Sequence, residues 1–513
     1  MAGKSVIIIL MSEEKQRHHH HHHTYQRSLL LLFIGGACVV VQFFASFVLV
    51  LSLIKLNILQ VWQLLLVIFI LVLIFAYNVY EIFFRRKAKL FGIIASCVIA
   101  LLISGGCFFA YNYIEQANDF LASITGIQEE TVVYDVYVRK NGEITSYNQL
   151  KDKEIGFMYD NPNLNDLKNK IAEELGNLNA VGYDVVGNLI SDAYEGKISA
   201  FAISESYIEF LEDSDFKIED DFTVIHEVKF TIPGRSDLRT PVDVVKEPFI
   251  VYISGSDSRK PGYVVSRSDV NILAVVNPSK GKILLVNIPR DYYVQLHGTT
   301  GLKDKLTHAG LYGIDMSKST IEDLLGIQIN YTVRVGFQGV QKFVDAIDGI
   351  DIDSPIAMKL TTGDQSEATG DHRQYCYYKK GMNHLDGICA LRYARERKKF
   401  ADGDLDRGKH QQQVLTAIIE KITNLHYVTR FSQILEAAKG TFQTSFNESE
   451  ISDFIRWQLA ELKHWQVESI QIGNNKHILT PTYTIRNENL WVYLPDEASE
   501  NAAKQKIAEY LTK

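Results

Sequence analysis

Three long apolar stretches near the N-terminus constrain this chain more than any other feature of its sequence. They run from Leu29 to Ile54, from Val61 to Phe84 and from Phe91 to Tyr111. Each is long enough to cross a bilayer core of about 30 Å as a helix that rises about 1.5 Å per residue. One such stretch could be a buried core helix, but three in succession predict a membrane anchor over residues 29–113. A cleaved signal peptide is not expected, because two further spans follow the first.

The distribution of lysine and arginine predicts the orientation in the membrane. The tail before the first span and the second connection are basic, whereas the first connection contains only Lys55; the basic residues are Lys15, Arg17, Arg27, Arg85, Arg86, Lys87 and Lys89. Because cytoplasmic loops carry the excess of basic residues, we expect residues 1–28 in the cytoplasm and the large remainder on the extracellular face. His18–His23 is typical of an expression tag or a low-complexity tract and is given no function.

Composition excludes several classes of protein. The 513 residues carry 53 basic and 61 acidic side chains, a formal net charge of −8. Nucleic-acid-binding proteins normally show a basic face or domain, so no nucleic-acid partner is expected. With 46% hydrophobic and 22% charged residues, the chain is not a disordered one. Five cysteines in this length also exclude a scaffold built from disulfides.

The residues that follow the anchor are predicted to form an external α/β accessory domain over residues 118–230. Val132–Arg139 and Ser199–Ile203 have strand patterns, and Leu164–Leu175 has helical spacing. The string DAYEGKISAFAISESYIEFLED resembles half of a periplasmic-binding-protein-like unit. Two interpretations stay open, a module that senses a small ligand and a spacer that lifts the next domain off the membrane. Pro233, Gly234, Pro241 and Pro248 mark a linker over residues 231–248.

Downstream, strands alternate with helices, which predicts a layered α/β/α domain over residues 249–425. FIVYIS, DVNILAVV, KILLVNI and NYTVRVGF are apolar strands, and QKFVDAID and Gln411–Leu425 are amphipathic helices. Ser319 and Glu322 have the spacing of a capping box at the start of another helix, which Gly326 ends. Residues 426–513 are expected to add helices and a final strand that pack on this domain, with Trp457 and Trp465 in its core.

Four clusters in this domain combine arginine with acidic residues where hydrophobic strands end. Their members are Asp257, Arg267 and Asp269; Arg290 and Asp291, followed by Lys303 and Lys305; Arg395, Glu396 and Arg397; and Asp402, Asp404, Arg407 and Gln411. If ARER is extended, Arg395 and Arg397 project to the same side. If a helix starts near Asp404, Arg407 and Gln411 are i,i+4 neighbours on one face.

Each cluster alone is typical of a surface ion pair worth under about 1 kcal/mol. Converging arginines, however, repel one another unless an anion offsets them. The planar arginine fork binds phosphate oxygens in pairs. Carboxylates among the arginines indicate Mg²⁺, which proteins bind through one or two carboxylates plus substrate phosphate. Together the four clusters predict a site for a diphosphate with its metal.

The ordered motifs SRSD, PRD, KDKLTHAGLYG, HLDG…RYARER and FADGDLDRGKHQQ resemble the LytR–CpsA–Psr family over Phe249–Leu425. The three-span anchor and the extra external domain resemble its capsule-type, CpsA-like members. The resemblance implies transfer of a glycopolymer, for these members a capsular polysaccharide, from a polyprenyl diphosphate lipid to peptidoglycan on the outer face of Gram-positive membranes. It implies Mg²⁺ as cofactor, with Mn²⁺ as a substitute.

The resemblance also implies roles for individual residues. Asp257 and Asp269 face the metal. For a phosphotransferase, Asp269 or Asp404 is the general base, and the sequence alone leaves both open. Lys409 and His410 stand where many relatives have Arg and Asn, which affects only the rim of the site. The implied diphosphate-binding residues are Arg267, Arg290, Arg395, Arg397, Arg407 and Gln411, to which we add Lys305; the catalytic set is Asp269, Arg290, Arg395, Arg397 and Asp404.

Two classes of function stay open. The first is a phosphotransferase, in which a peptidoglycan sugar hydroxyl attacks the sugar-side phosphorus and polyprenyl phosphate leaves; hydrolysis of the same diphosphate by water is a variant. The second is a non-enzymatic sensor of lipid-linked sugar that tunes capsule synthesis and contacts capsule-synthesis proteins. Either one needs an apolar slot for the lipid, which Gln338–Ile347 and Val414–Leu425 could line unless they are ordinary core helices.

Cys376 and Cys389 predict a disulfide, because an exported domain meets oxidising conditions. They flank a turn at Lys380–Gly381, between the strand QYCYY and a helix opened by Asp386. In the chain-entropy model, a disulfide across this short loop stabilises the folded domain by roughly 3 kcal/mol. The alternative is two buried thiols. The other three cysteines, Cys38, Cys97 and Cys107, lie in the spans and are expected to stay reduced.

Overall fold

A computed structural model describes the chain as two units, residues 1–119 and 120–513. The described residues are 3–85, 90–125, 130–159, 161–208, 218–232, 239–256, 265–361, 375–423, 434, 442–486 and 489–512. Three helices, α1 (Gly3–Leu56), α2 (Val61–Val79, continued by a π-helical turn to Phe84) and α3 (Leu90–Ile124), contain the three apolar stretches. Each is long and apolar enough to cross a membrane, as predicted, so the chain has a three-helix membrane anchor.

Two details of the anchor follow from its side chains. Asn78 on α2 donates a hydrogen bond of 2.9 Å to Gln42 on α1, and both side chains are buried. Such a bond satisfies polar groups that lipid cannot. The third helix continues past Tyr111 to Ile124, because Ile114, Ala117 and Leu121 keep a buried face at helical spacing.

Residues 130–232 contain a five-stranded sheet in the order β3-β2-β4-β1-β5. The strands are β1 (Glu130–Arg139), β2 (Glu154–Met158), β3 (Asn179–Tyr183), β4 (Ala200–Ile203) and β5 (Phe222–Ile232), with helices α4 (Leu164–Leu175) and α5 (Val186–Glu195) between them. Strand β2 is parallel to β3 and β4, and β1 is antiparallel to β4 and β5. The α/β character predicted for this segment is therefore present.

A second sheet of six strands has the order β16-β11-β6-β7-β8-β17. Its strands are β6 (Phe249–Ser256), β7 (Ser268–Asn277), β8 (Lys282–Asn287), β11 (Tyr331–Gly336), β16 (Phe442–Thr444) and β17 (Gln466–Gln471). The strands β6, β7 and β8 form an antiparallel meander, while β11 is parallel to β6 and β17 to β8. Residues after 425 thus supply both edge strands of the sheet, where the sequence predicted helices and one strand packed on it.

Both faces of this sheet are buried, because successive residues of a strand point to opposite faces. Leu273 and Val275 of β7 pack with helices α6 (Ile314–Leu325) and α11 (Glu497–Leu511). Ile272 and Ala274 pack on the other side with α9 (Asp404–Ile422) and α10 (Glu448–Glu461). Trp457 and Trp465 contact each other on that side, with ring centroids 6.0 Å apart. The result is the predicted α/β/α domain.

Smaller elements complete the domain. They are β9 (Tyr293–Val294), β10 (Asp304–Lys305), β12 (Ile350–Ser354), β13 (Met358–Thr361), β14 (Tyr375–Tyr378), β15 (Gly381–Leu385), β18 (His477–Thr480), β19 (Leu490–Tyr493) and the helices α7 (Phe337–Ala346) and α8 (Gly387–Arg395).

One local prediction is wrong. Helix α6 begins at Ile314 after Gly313 and not at a capping box formed by Ser319, although Gly326 ends it in a left-handed conformation as predicted. The condition that ARER is extended is not met in full, because Ala394 and Arg395 form the end of α8, and Glu396, the next residue, has extended backbone angles.

Candidate functional site

Several predicted site residues meet at one edge of the six-stranded sheet. Asp269 is the second residue of β7, and Arg290 follows the end of β8. Because β7 and β8 are antiparallel, with Ile272 opposite Asn287, the start of one strand lies beside the end of the other. The first turn of α9, which contains Asp404 and Arg407, reaches the same edge.

Asp269 is held on both carboxylate oxygens. Arg290 Nη1 lies 2.8 Å from Oδ2, and the Thr307 hydroxyl donates to Oδ1 over 3.0 Å. Asp269 is 7% exposed, so these contacts are shielded from water. The short helix Leu306–Ala309 positions Thr307, whose backbone N–H donates to the Arg290 carbonyl.

Three further ion pairs extend the cluster. Asp291 Oδ1 forms an ion pair with Lys305 Nζ at 2.9 Å, and Asp291 Oδ2 lies 3.5 Å from Arg290 Nε. Arg407 Nη2 lies 2.6 Å from Asp404 Oδ1, within the first turn of α9. We call the seven residues of this region the arginine–aspartate cluster: Arg267, Asp269, Arg290, Asp291, Lys305, Asp404 and Arg407.

The charged groups of the cluster are buried away from water, and burial and neighbouring charges shift their pKa values. Burial raises the pKa of a carboxyl, yet the charges of Arg290, Arg267 and Arg407 hold the pKa of Asp269 well below its usual range. Burial likewise opposes ionisation of Asp291, but Arg290 and Lys305 bring its pKa to about 2. Burial lowers the pKa of Arg267 to about 10, despite the nearby Asp269.

Asp404 behaves differently from the other two carboxyls. Its pKa is raised, first by burial and then by the charges of Asp291 and Asp269, although Arg407 and Arg290 act in the opposite direction. Two carboxyls with lowered and one with raised pKa values therefore lie in one cluster, an arrangement typical of functional sites.

The remaining predicted residues lie outside this core. Gln411 is buried on α9 one turn after Arg407. Arg395 is exposed at the end of α8, with its guanidinium carbon 4.9 Å from the centroid of the Phe337 ring. Arg397 is exposed two residues later. Asp257 lies outside the described residues.

An apolar cavity of about 90 Å³ lies between the sheet and helices α7, α8 and α9, with Arg395 and Gln411 as its polar members. It is lined by both segments that the sequence suggested for a lipid slot. The apolar lining residues are Ile253, Val270, Ile272, Val335, Phe337, Val340, Leu391, Ala394, Val414, Leu415 and Ile418.

Sequence reasoning missed two contributors. Asp291 was noted beside Arg290 but received no role, although it joins Arg290 to Lys305. Thr307 lies in the motif KDKLTHAGLYG but received no role, because a threonine in a short helix has no periodicity that indicates function.

The carboxylates of the cluster suit a metal ion that is bound mainly through the substrate. Within the residues that the structure describes, no group of three or more His, Cys, Asp or Glu side chains could hold a metal ion. Mg²⁺, however, needs only one or two carboxylates when a phosphate completes its shell. Asp269 fits that requirement, since a carboxylate has about four acceptor positions and Arg290 and Thr307 use two.

A disulfide joins Cys376 on β14 to Cys389 in the first turn of α8, with Cα atoms 5.4 Å apart. The predicted bridge is thus present, and Asp386 caps the same helix by accepting from the Cys389 N–H at 2.8 Å. Strand β14 is therefore covalently linked to the helix that ends at Arg395. Cys38, Cys97 and Cys107 are free.

The sequence is similar to known cell-wall enzymes. It is 29% identical over 266 residues to the polyisoprenyl-teichoic acid–peptidoglycan teichoic acid transferase TagU of Bacillus anthracis, covering 52% of this chain and 80% of TagU. It is 29% identical over 281 residues to TagV of Bacillus subtilis strain 168, a transferase of the same description, covering 54% of this chain and 68% of TagV. The crystal structure of B. subtilis TagV matches with 27% identity and a TM-score of 0.43, over 52% of this chain and 98% of that one. The model of the LytR_cpsA_psr family matches residues 220–509. Because that match spans more than half of the 513 residues, this chain belongs to the LytR_cpsA_psr family.

Proposed function

We propose that this chain is a Mg²⁺-dependent phosphotransferase that moves a glycopolymer from a polyprenyl diphosphate carrier to a sugar hydroxyl of peptidoglycan. The observation that carries the proposal is the arginine–aspartate cluster at one sheet edge, beside an apolar cavity. TagU and TagV, named as teichoic acid transferases, support glycopolymer transfer as the reaction class. A capsular polysaccharide as the polymer rests on the three-span anchor and the additional sheet at residues 130–232.

The charges of the cluster suit a diphosphate. Four cationic side chains (Arg267, Arg290, Lys305 and Arg407) stand against three carboxyls, and the exposed Arg395 and Arg397 add positive charge at the rim. The arginine fork donates paired hydrogen bonds to phosphate oxygens. Because phosphoryl transfer depends mainly on positioning and charge stabilisation, this arrangement supplies what the reaction needs.

Asp269, together with Asp257, would hold the metal beside the diphosphate, with Mn²⁺ as a substitute. A bound Mg²⁺ would neutralise charge that develops on the diphosphate oxygens. Arg290 then has two functions, to fix the Asp269 carboxylate at 2.8 Å and to orient the phosphate.

The reaction needs a group that accepts the proton of the acceptor hydroxyl. Asp269 is engaged by Arg290 and Thr307 on both oxygens, whereas among the described residues Asp404 forms an ion pair with Arg407 alone. A general base works best when its pKa approaches the working pH, which favours Asp404, whose pKa is raised. The hydroxyl oxygen attacks the sugar-side phosphorus, the bond from this phosphorus to the bridging oxygen breaks, and polyprenyl phosphate leaves.

The apolar cavity would receive the first part of the polyprenyl chain. Its volume of about 90 Å³ is below the roughly 300–1,000 Å³ of a typical ligand site. Binding of the first prenyl units would therefore need the side chains that line the cavity to move apart. We also propose that the N-terminus is cytoplasmic and that the two sheets lie outside the cell, as the basic residues predict.

The decisive experiment uses the purified full chain, a radiolabelled saccharide on polyprenyl diphosphate, and peptidoglycan with Mg²⁺. We expect label in peptidoglycan and release of polyprenyl phosphate, both lost on chelation. Release of polyprenyl phosphate and free saccharide phosphate without label in peptidoglycan would identify a hydrolase. Binding of the lipid with no turnover would identify a sensor, and either result would overturn the proposal.

A further inference from the structure

Helix α9 has a second recess, on the side away from the apolar cavity. The apolar cavity is lined by Gln411, Val414 and Ile418 of this helix. The second recess, an open groove of about 640 Å³, is lined by Gln413, Thr416 and Glu420. Because these two sets alternate at helical spacing, the two recesses flank α9 on one face of the six-stranded sheet. The volume of the groove is in the range of known ligand sites.

The walls of the groove are fixed by hydrogen bonds. Gln412 Nε2 donates to the carbonyls of Leu285 on β8 and Ile470 on β17, at 3.0 and 2.7 Å. Lys421 Nζ near the other end of α9 donates to the carbonyl of Asp348 at 2.7 Å, just before β12. The helix is therefore held over the edge strand β17 on one side and beside β12 on the other, so the groove is built into the fold.

The groove begins where the arginine–aspartate cluster ends. Gly408 follows Arg407 directly, and a Cβ atom added to Gly408 would lie 2.2 Å from Asn287 Nδ2 and 3.3 Å from Gln471 Oε1. Gln471 lines the groove. Its side-chain oxygen is buried and has no hydrogen-bond partner among the described residues, and an acceptor left in that state costs about 1–3 kcal/mol. Lys409, two residues after Arg407, also lines the groove, so this end of the groove adjoins the first turn of α9.

The lining suits a ligand that presents hydroxyl groups better than one that presents negative charge. Asp351, Asp353 and Glu420 give the groove negative charge, and its only cation among the described lining residues, Lys409, pairs with Asp406 at 2.8 Å. Like charges across an interface suppress the wrong partner, so an anionic polymer or a diphosphate is disfavoured here. Carboxylate, amide and hydroxyl side chains instead match the donors and acceptors of sugar hydroxyls.

We infer that this groove binds the acceptor glycan chain of peptidoglycan and delivers its hydroxyl to the first turn of α9. The inference rests on the proposed transfer, to which it adds the place of the acceptor. Donor lipid and acceptor glycan then occupy opposite sides of one helix. They meet at Asp404 and Arg407, where the diphosphate would lie.

The test measures binding of soluble, uncrosslinked peptidoglycan oligomers to the purified full chain in the absence of donor. Asp353 and Glu420 are exposed, so the double variant Asp353→Arg/Glu420→Arg should fold normally. Thr416→Trp, which fills the groove, is a second variant. We expect each to weaken oligomer binding at least about tenfold, while binding of the polyprenyl diphosphate donor stays unchanged. The matched control is Glu461→Arg/Glu497→Arg, two exposed acids on α10 and α11 outside the groove, and it should bind like the wild type.

The inference is overturned if both groove variants bind the oligomers as tightly as the wild type, if the wild type does not bind them, or if an anionic glycopolymer displaces them from the groove. Failure of the proposed function gives another pattern. In that case the oligomers bind and the groove variants lose them, but labelled saccharide never reaches peptidoglycan.

Discussion

Arg397 is the site residue whose substitution least threatens the fold, because its side chain is exposed after the end of α8. We expect Arg397→Lys to keep the melting temperature of the wild type and to lower transfer by about 10²-fold. Lysine keeps the charge but loses the paired donors, and loss of one preorganised donor has an effect of this size. Arg486→Lys, an exposed arginine outside the site, is the control for transfer. Near-normal polymer attachment in cells that carry Arg290→Lys, Arg395→Lys and Arg397→Lys together would end the assignment.

Asp269→Asn should reduce both stability and activity. Among the described residues, it leaves the buried Arg290 with Asp291 as its one ion-pair partner, at 3.5 Å. We therefore expect a loss of about 3 kcal/mol in the free energy of unfolding, the lower end for a broken buried pair. The pKa of Asp269 is lowered by folding, so its contribution is complete above the unfolded value of about 3.9 and disappears as the pH falls further. The stability difference between wild type and variant should therefore shrink below about pH 4.

Tryptophan fluorescence during urea unfolding measures this difference, since Trp457 and Trp465 lie in the core. Transfer by Asp269→Asn should fall about 10²-fold, and excess Mg²⁺ should restore part of it. An equal stability difference at pH 3 and pH 7 would contradict the role of the Asp269 charge.

At the level of secondary-structure elements, the disulfide fixes strand β14 to helix α8. It closes a loop of sequence separation 13 between β14 and α8, which the chain-entropy model values at about 3 kcal/mol. We expect Cys376→Ser/Cys389→Ser to lower the melting temperature and to reduce transfer, because α8 carries Arg395. Cys97→Ser, a free cysteine in the anchor, is the matched control and should change neither. Two reactive thiols at positions 376 and 389 in unreduced wild-type protein would exclude the bridge.

Prediction at this level succeeded where a local signal matched the tertiary structure. Asp386 as the first residue before α8 and Gly326 as the end of α6 are both present. The sequence did not locate the end of α8, because a short charged segment such as ARER fits a strand or a final helical turn equally well. The capping box predicted at Ser319 and Glu322 is absent for a similar reason. Glu322 instead pairs with Lys318 at 2.9 Å and accepts from the Ile329 N–H.

At the level of the whole molecule, the order of the motifs identified the family, and hydrophobicity identified the anchor. The sequence alone did not show that Asp269, Arg290 and Asp404 lie together. Strand pairing and the packing of α9 on the sheet bring these residues, far apart in sequence, to one sheet edge. The groove beside α9 gave no sequence signal, since Asp353 and Glu420 are ordinary exposed acids until β12 and α9 are placed together.

The apolar cavity leads to a prediction about lipid length. Val340→Phe should fill the cavity and raise the KM for a long-chain donor by about tenfold, which is the effect of excluding about two methylene groups from burial. A donor with a very short prenyl chain should be used as well as by the wild type. Val242→Phe, a half-buried valine elsewhere in the domain, is the control. Equal KM values for long-chain and short-chain donors in the wild type would show that the cavity does not bind the prenyl chain.

Both edges of the six-stranded sheet come from the last part of the chain, and this has a consequence for biosynthesis. Every arginine of the site has left the ribosome before β16 and β17 exist, and at about 5–20 residues per second the interval lasts several seconds. During that time β8 and β11 present unpaired edges, which are templates for aggregation. A premature stop codon after Ile422 would thus produce a chain with all five motifs and an open sheet. A frameshift within residues 426–513 should inactivate the protein as fully as loss of an arginine.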